Sequence, residues 1–144
     1  MTLSVESKTF EFKLLAGMLT EEEVVSWADE LILSMENPPI EIIDLALEKN
    51  KHSQLKILSK LGAGDDNEAF EIFCKDQASV LGKVDFFEVG NRLLSVHYSD
   101  PNGLDKQYRD FLVWLDDELD LVGNGVKGVK PAIQELREFL AKFG

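Results

Sequence analysis

Apolar residues recur three and four positions apart along most of this chain, and that spacing predicts helices. The clearest run opens at Thr20. Thr20 reads as an N-cap with Glu23 as its capping-box partner, and Leu19 and Val24 stand where a hydrophobic staple would. Val24, Trp27, Ala28, Leu31, Ile32 and Met35 then form one stripe, with Glu22, Asp29 and Glu30 on the other side. The first-turn glutamates also suit the helix dipole. Asn37-Pro38-Pro39 closes this helix and opens the next, because proline fits a first turn and not an interior.

From Pro39 to Glu48 the pattern changes. Ile40, Ile42, Ile43, Leu45, Ala46 and Leu47 leave almost no polar face, which predicts a helix buried on most sides at the centre of the fold. Lys49-Asn50-Lys51 reads as its stop. The following helix points Leu55, Ile57, Leu58 and Leu61 inward, and Gly62-Ala63-Gly64 ends it. Residues 65–80 predict a further helix with Ala69, Ile72 and Phe73 inward, broken by Gly82.

Residues 84–98 admit two readings. Phe86, Phe87, Val89, Leu93 and Leu94 fit a helix containing Gly90, whereas Gly90-Asn91 followed by alternating Leu94, Val96 and Tyr98 fits a β-hairpin. Helices on both sides favour the first.

After the turn Asp100-Pro101-Asn102-Gly103, a long helix carries Leu104, Tyr108, Phe111, Leu112, Leu115, Leu119 and Val122 on one stripe. A glycine-rich loop follows, and Pro131 opens a last helix. The segment before Gly17 is helical from the spacing of Phe10, Leu14 and Leu15. These readings predict an all-α fold, a single domain over 1–144, with an array of about eight helices.

The 144 residues are 44% apolar, enough for a real core without a staple. Cys74 is the single cysteine, so no internal disulfide forms, as expected of a reducing cytosol. No N-terminal signal and no membrane-length apolar run is visible, and the expected location is cytoplasmic.

Charge adds more. The formal net charge is −12, which disfavours nucleic acid and anionic membranes as partners and favours basic proteins. The acids are also concentrated. Between Lys13 and Lys49 there is no Lys or Arg, while Glu21, Glu22, Glu23, Asp29, Glu30, Glu36, Glu41, Asp44 and Glu48 all fall there. A second base-free stretch, between Arg109 and Lys127, holds Asp110, Asp116, Asp117, Glu118 and Asp120. Two patches of one sign point to a cationic partner. The expected contact residues are Glu22, Asp29 and Glu30 on the first, and Asp110, Asp116, Asp117 and Asp120 on the second. Trp114 joins them as an interface anchor, unless a second helix covers its side.

Candidate chemistry weakens on inspection. Residues 123–128 spell a dinucleotide-binding glycine pattern, but a helix precedes it where the motif needs a strand. His52 and His97 lack a second ligand at metal spacing. Cys74 lies beside Phe73 on an amphipathic helix, where a thiol is buried and inert. Asp65-Asp66-Asn67-Glu68 lacks the alternation and central glycine of a calcium loop. Asp116 and Asp117 point 100° apart and do not converge. No catalytic residue, cofactor or metal site is expected, and no enzyme.

One stretch has a family likeness. Leu19, Thr20, Glu23, Val24, Trp27, Ala28 and Asp29, then Pro38, Pro39, Ile43, Asp44 and Leu45, are similar to small bacterial immunity proteins of contact-dependent growth inhibition systems. Asn91-Arg92-Leu93-Leu94 with Tyr108, Phe111 and Leu112 resembles them too, and the likeness covers about a third of the chain. The resemblance implies a cytoplasmic protein that binds and neutralises one cognate toxin, often a cationic nuclease. It supplies no site residues. The alternative is a helical adaptor or regulatory subunit for a basic partner.

Overall fold

The computed structural model describes residues 1–100 and 102–143. Its described residues form eight α-helices: α1 (Leu3–Leu15), α2 (Glu21–Ser34), α3 (Ile40–Leu47), α4 (Lys51–Leu61), α5 (Asp66–Val80), α6 (Phe86–Ser99), α7 (Lys106–Gly123) and α8 (Val129–Leu140). A 3₁₀ turn, Ala141–Phe143, follows. No strand forms among them, and the chain is all-α. The ambiguous segment is helix α6. An isolated bridge between Leu81 and Val84 is the only β-type pairing among the described residues. Of the turn before α7, Pro101 lies outside the described residues.

Contacts divide the chain into two compact units, Met1–Ala69 and Phe70–Gly144. In the first, α1 packs along α4 and α2 along α3, and α4 also touches α2 and α3. Leu14, Val24, Trp27, Ala28, Ile42, Leu45 and Leu58 make its core. Helix starts are capped where sequence chemistry allows. Thr2 accepts from Val5 N–H at 3.2 Å, and Asn50 accepts from Ser53 N–H at 3.2 Å, so Asn50 starts α4 rather than merely ending α3. The Thr20–Glu23 capping box is complete.

One feature of this unit differs from the sequence reading, and a second adds to it. First, α3 is not buried on most sides. Only Ile42 and Leu45 enter the core, while Ile40, Ile43 and Leu47 face solvent. An eight-residue helix flanked by α2 and α4 has only one covered side, whatever its composition. Second, Gly62 ends α4 as its C-cap, as the sequence indicates, and also serves helix packing. A Cβ there would lie 2.7 Å from Lys8 Cβ and 2.9 Å from Lys8 N, so the glycine lets α1 approach. Gly64, at φ +92°, supplies the left-handed turn.

In the second unit, α6 packs on α7 and α7 on α8. Phe111 of α7 stacks on Phe139 of α8, with centroids 3.4 Å apart. Lys127, in the glycine-rich loop, bonds the buried carboxylate of Glu118 and reaches Glu135 at 3.4 Å. Glu118 therefore anchors that loop. Tyr108 donates its hydroxyl to Glu71 and packs against Phe70.

Candidate partner-binding site

The cap that starts α2 also arranges its acids. Glu23 turns back on the helix end, where its Oε1 accepts from Thr20 N–H at 3.2 Å. Glu22, Ser26 and Glu30 then recur every fourth residue and share one face. This face borders a shallow groove of about 410 Å³ toward α1, lined by Glu22, Glu23, Ser26 and Glu30 with Phe10, Leu19, Thr20 and Trp27. Among the described residues no Lys, Arg or His lines it.

A stacked aromatic pair lines it. Phe10 and Trp27 stack with ring centroids 4.2 Å apart and planes 16° from parallel. The indole N–H of Trp27 donates to Glu6 Oε1 at 2.8 Å. Two rings between α1 and α2 hold the helices apart there. Glu21 is fixed by another device. Gln54 is fully buried, and its amide donates to the Glu21 carbonyl at 3.0 Å and the Glu48 carbonyl at 2.8 Å. One side chain of α4 thus ties the start of α2 to the end of α3. In the sequence Gln54 is only a polar residue beside the inward positions of α4; the carbonyls it holds come from distant elements.

A second hollow lies on the opposite flank of Glu22 and Ser26. It is lined by Glu21, Glu22, Val25, Ser26 and Lys49, and the lysine partly offsets its acids. The groove toward α1 has no such offset.

The structure therefore gathers Glu22 and Glu30, adds Glu23, and leaves Asp29 exposed on α2 outside the groove. On α7, Asp110, Val113, Asp117 and Asp120 share one exposed stripe. Part of this patch is already engaged. Lys106 Nζ sits 2.7 Å from Asp110 Oδ2. Tyr98 donates its hydroxyl to Asp116, a bond that raises the tyrosine pKa above its ordinary value. Trp114 is half-buried, its ring centroid 5.5 Å from that of Phe111, and is not the freely exposed anchor the acidic flanks suggested.

Cys74 is fully buried, and burial, then the charge of Glu71, pushes its thiol well above the ordinary range. A nucleophilic thiol needs the opposite environment. Among the described residues no group of three or more His, Cys, Asp or Glu side chains is placed to hold a metal ion. No helix among them is long and apolar enough to cross a membrane. No family model, no curated protein and no solved structure matches the chain.

Proposed function

We propose that this protein is a non-catalytic binding protein that engages a basic protein domain through the groove beside α2 and so neutralises it. The supporting observation is the groove itself: Glu22, Glu23 and Glu30 stand over the Phe10–Trp27 stack with no cation among the lining residues. A Lys or Arg side chain of the partner fits such a place chemically. Its alkyl stem packs on aromatic carbon and its head pairs with carboxylates. Around the groove, residues 14–48 hold no base, so the approach of a cationic surface is accelerated as well as its final pairing.

The nature of the partner rests on the likeness of residues 19–47 to immunity proteins, and the groove residues Leu19, Thr20, Glu23 and Trp27 belong to that likeness. On this reading the partner is a cognate toxin of nuclease type, covered by the acidic protein in the cytoplasm where it would act. The exposed acidic stripe of α7 is a second, weaker candidate surface.

The test begins with capture from a lysate of the source organism at low and moderate salt. A single stoichiometric basic partner, whose activity is abolished by an equimolar amount of this protein, supports the reading. A partner whose activity is untouched assigns the protein to the adaptor class instead.

A further inference from the structure

The acidic groove leaves a different feature of the same unit unexplained. Among residues 1–69, the exposed large apolar side chains are Met1, Leu33, Ile40, Ile43 and Leu47, and all but Met1 lie in the α2–α3 hairpin. Leu33 is 88% exposed, Leu47 77%, Ile40 63% and Ile43 37%. Solvent offers no return for isoleucine at two exposed positions of an eight-residue helix. Branched side chains are poorer helix formers than Glu, Lys or Ala, and their apolar surface stays wet. Ile40, Ile43 and Leu47 are spaced i, i+3, i+7, the seam spacing with which one helix packs along another.

We infer that this stripe of α3 docks an amphipathic basic helix of the partner, which lays its apolar face on Ile40, Ile43 and Leu47 and turns Lys or Arg toward the flanking acids. The inference rests on the proposed function and names the kind of element the partner presents. Charge decides the occupant. Asp44, next to Ile43 and three residues before Leu47 on α3, borders the stripe and forms no ion pair among the described residues, and Glu41 has a 3.8 Å contact with Lys60. A second copy seated on α3 would bring these acids against their own counterparts, in a chain of net charge −12. A basic helix satisfies both the apolar seam and its acidic borders.

The probe is a short synthetic helix with leucine at alternating third and fourth positions and lysine elsewhere, titrated into the whole protein at moderate salt. Backbone amide NMR shifts locate binding, and the titration gives affinity. The expected result is shifts concentrated in residues 33–47. Binding becomes at least tenfold weaker for Ile40→Ser/Ile43→Ser/Leu47→Ser, and similarly weaker when the leucines of the probe are replaced by serine. All three positions are exposed, and unchanged circular dichroism checks that the variant folds. Equal affinity for wild type and this variant overturns the inference, as do shifts lying wholly outside the hairpin. Sedimentation showing a wild-type dimer that the variant loses overturns it too, in favour of a second copy. The variant Glu22→Lys/Glu30→Lys separates the two readings. If it alone weakens binding, the stripe is not the docking surface and the groove reading stands. If neither variant weakens it, both fail.

Discussion

Phe10 and Trp27 stack nearly parallel at 4.2 Å, and this single contact both fills the space between α1 and α2 and underlies the acidic groove. The stack is anchored at one edge, where Trp27 Nε1 donates to Glu6.

Trp27 therefore carries two separable contributions. Trp27→Phe keeps an aromatic ring beside Phe10 but leaves Glu6 without its donor, and the expected loss is about 1–3 kcal/mol. Trp27→Ala removes the packing as well and should cost about 3–5 kcal/mol. Urea unfolding of the two variants checks the order. Equal losses would mean that the Glu6 bond, and not the stack, is what matters at this position.

Two glycines should respond differently to alanine. At Gly62 the added Cβ meets the backbone and Cβ of Lys8, which cannot rotate away, so α1 must shift and about 1–3 kcal/mol is lost. At Gly90 the added Cβ meets only the Leu119 side chain, both methyl groups and Cγ at 2.9–3.3 Å, and no backbone. The better helix propensity of alanine, about 1 kcal/mol, offsets part of this crowding, and Gly90→Ala should cost less than Gly62→Ala. Thermal unfolding of both variants measures the contrast.

Alkaline pH should act through Tyr108. Burial, reinforced by its bond to Glu71, pushes this phenol from the ordinary 10 up to about 12. The folded state favours the neutral phenol, so the contribution is whole below pH 10 and is lost as pH rises from 10 through about 12. Stability should fall across that window, and Tyr108→Phe should make the fall shallower. An equally steep decline in the variant would place the pH sensitivity elsewhere. Tyrosinate absorbance provides a direct check, since the variant should lack the late titration step.

Much of the helical frame was legible because local chemistry specified it. Thr20 and Glu23 are a capping box in sequence and in space, and the stripe of α7 turns Leu112, Leu115 and Leu119 inward as its spacing predicts. The ambiguous segment became a helix from Phe86 to Ser99 because Phe86, Val89, Leu93 and Val96 bury together on one side, a periodicity that outweighed the Gly90-Asn91 turn signal. The burial of α3 was misread for the converse reason. Composition says which residues can be buried, and only the neighbours of a helix decide how many sides are covered. The roles of Gln54 and Gly62 were hidden because each depends on an element distant in sequence: Glu21 and Glu48 for one, Lys8 for the other.

The candidate site was legible as charge and not as shape. A base-free stretch marked α2, and Glu22 and Glu30 do share the groove. That Glu23 joins them while Asp29 stays outside depends on which flank of α2 borders the groove. On α7, Lys106 and Asp110 stand at the i, i+4 spacing that a helix pairs, whereas the bond of Tyr98 to Asp116 joins two helices and could not be read from sequence. Replacing Asp116, Asp117 and Asp120 with asparagine should accordingly slow partner association by less than the groove variant does, measured by stopped flow at one salt concentration. A larger effect from the α7 variant would transfer the interface to α7.

The central claim is that the groove beside α2 receives a cationic partner, and its most direct measurement is the association rate of the captured partner across a salt series. It should be measured for wild type and for Glu22→Lys/Glu30→Lys. Both positions are surface carboxylates whose reversal should leave the fold unchanged. The expected result is a wild-type rate that falls steeply with salt, a variant at least tenfold slower at low salt, and convergence of the two at high salt as screening removes the steering. Identical rates and identical salt dependence in the two proteins would contradict the claim.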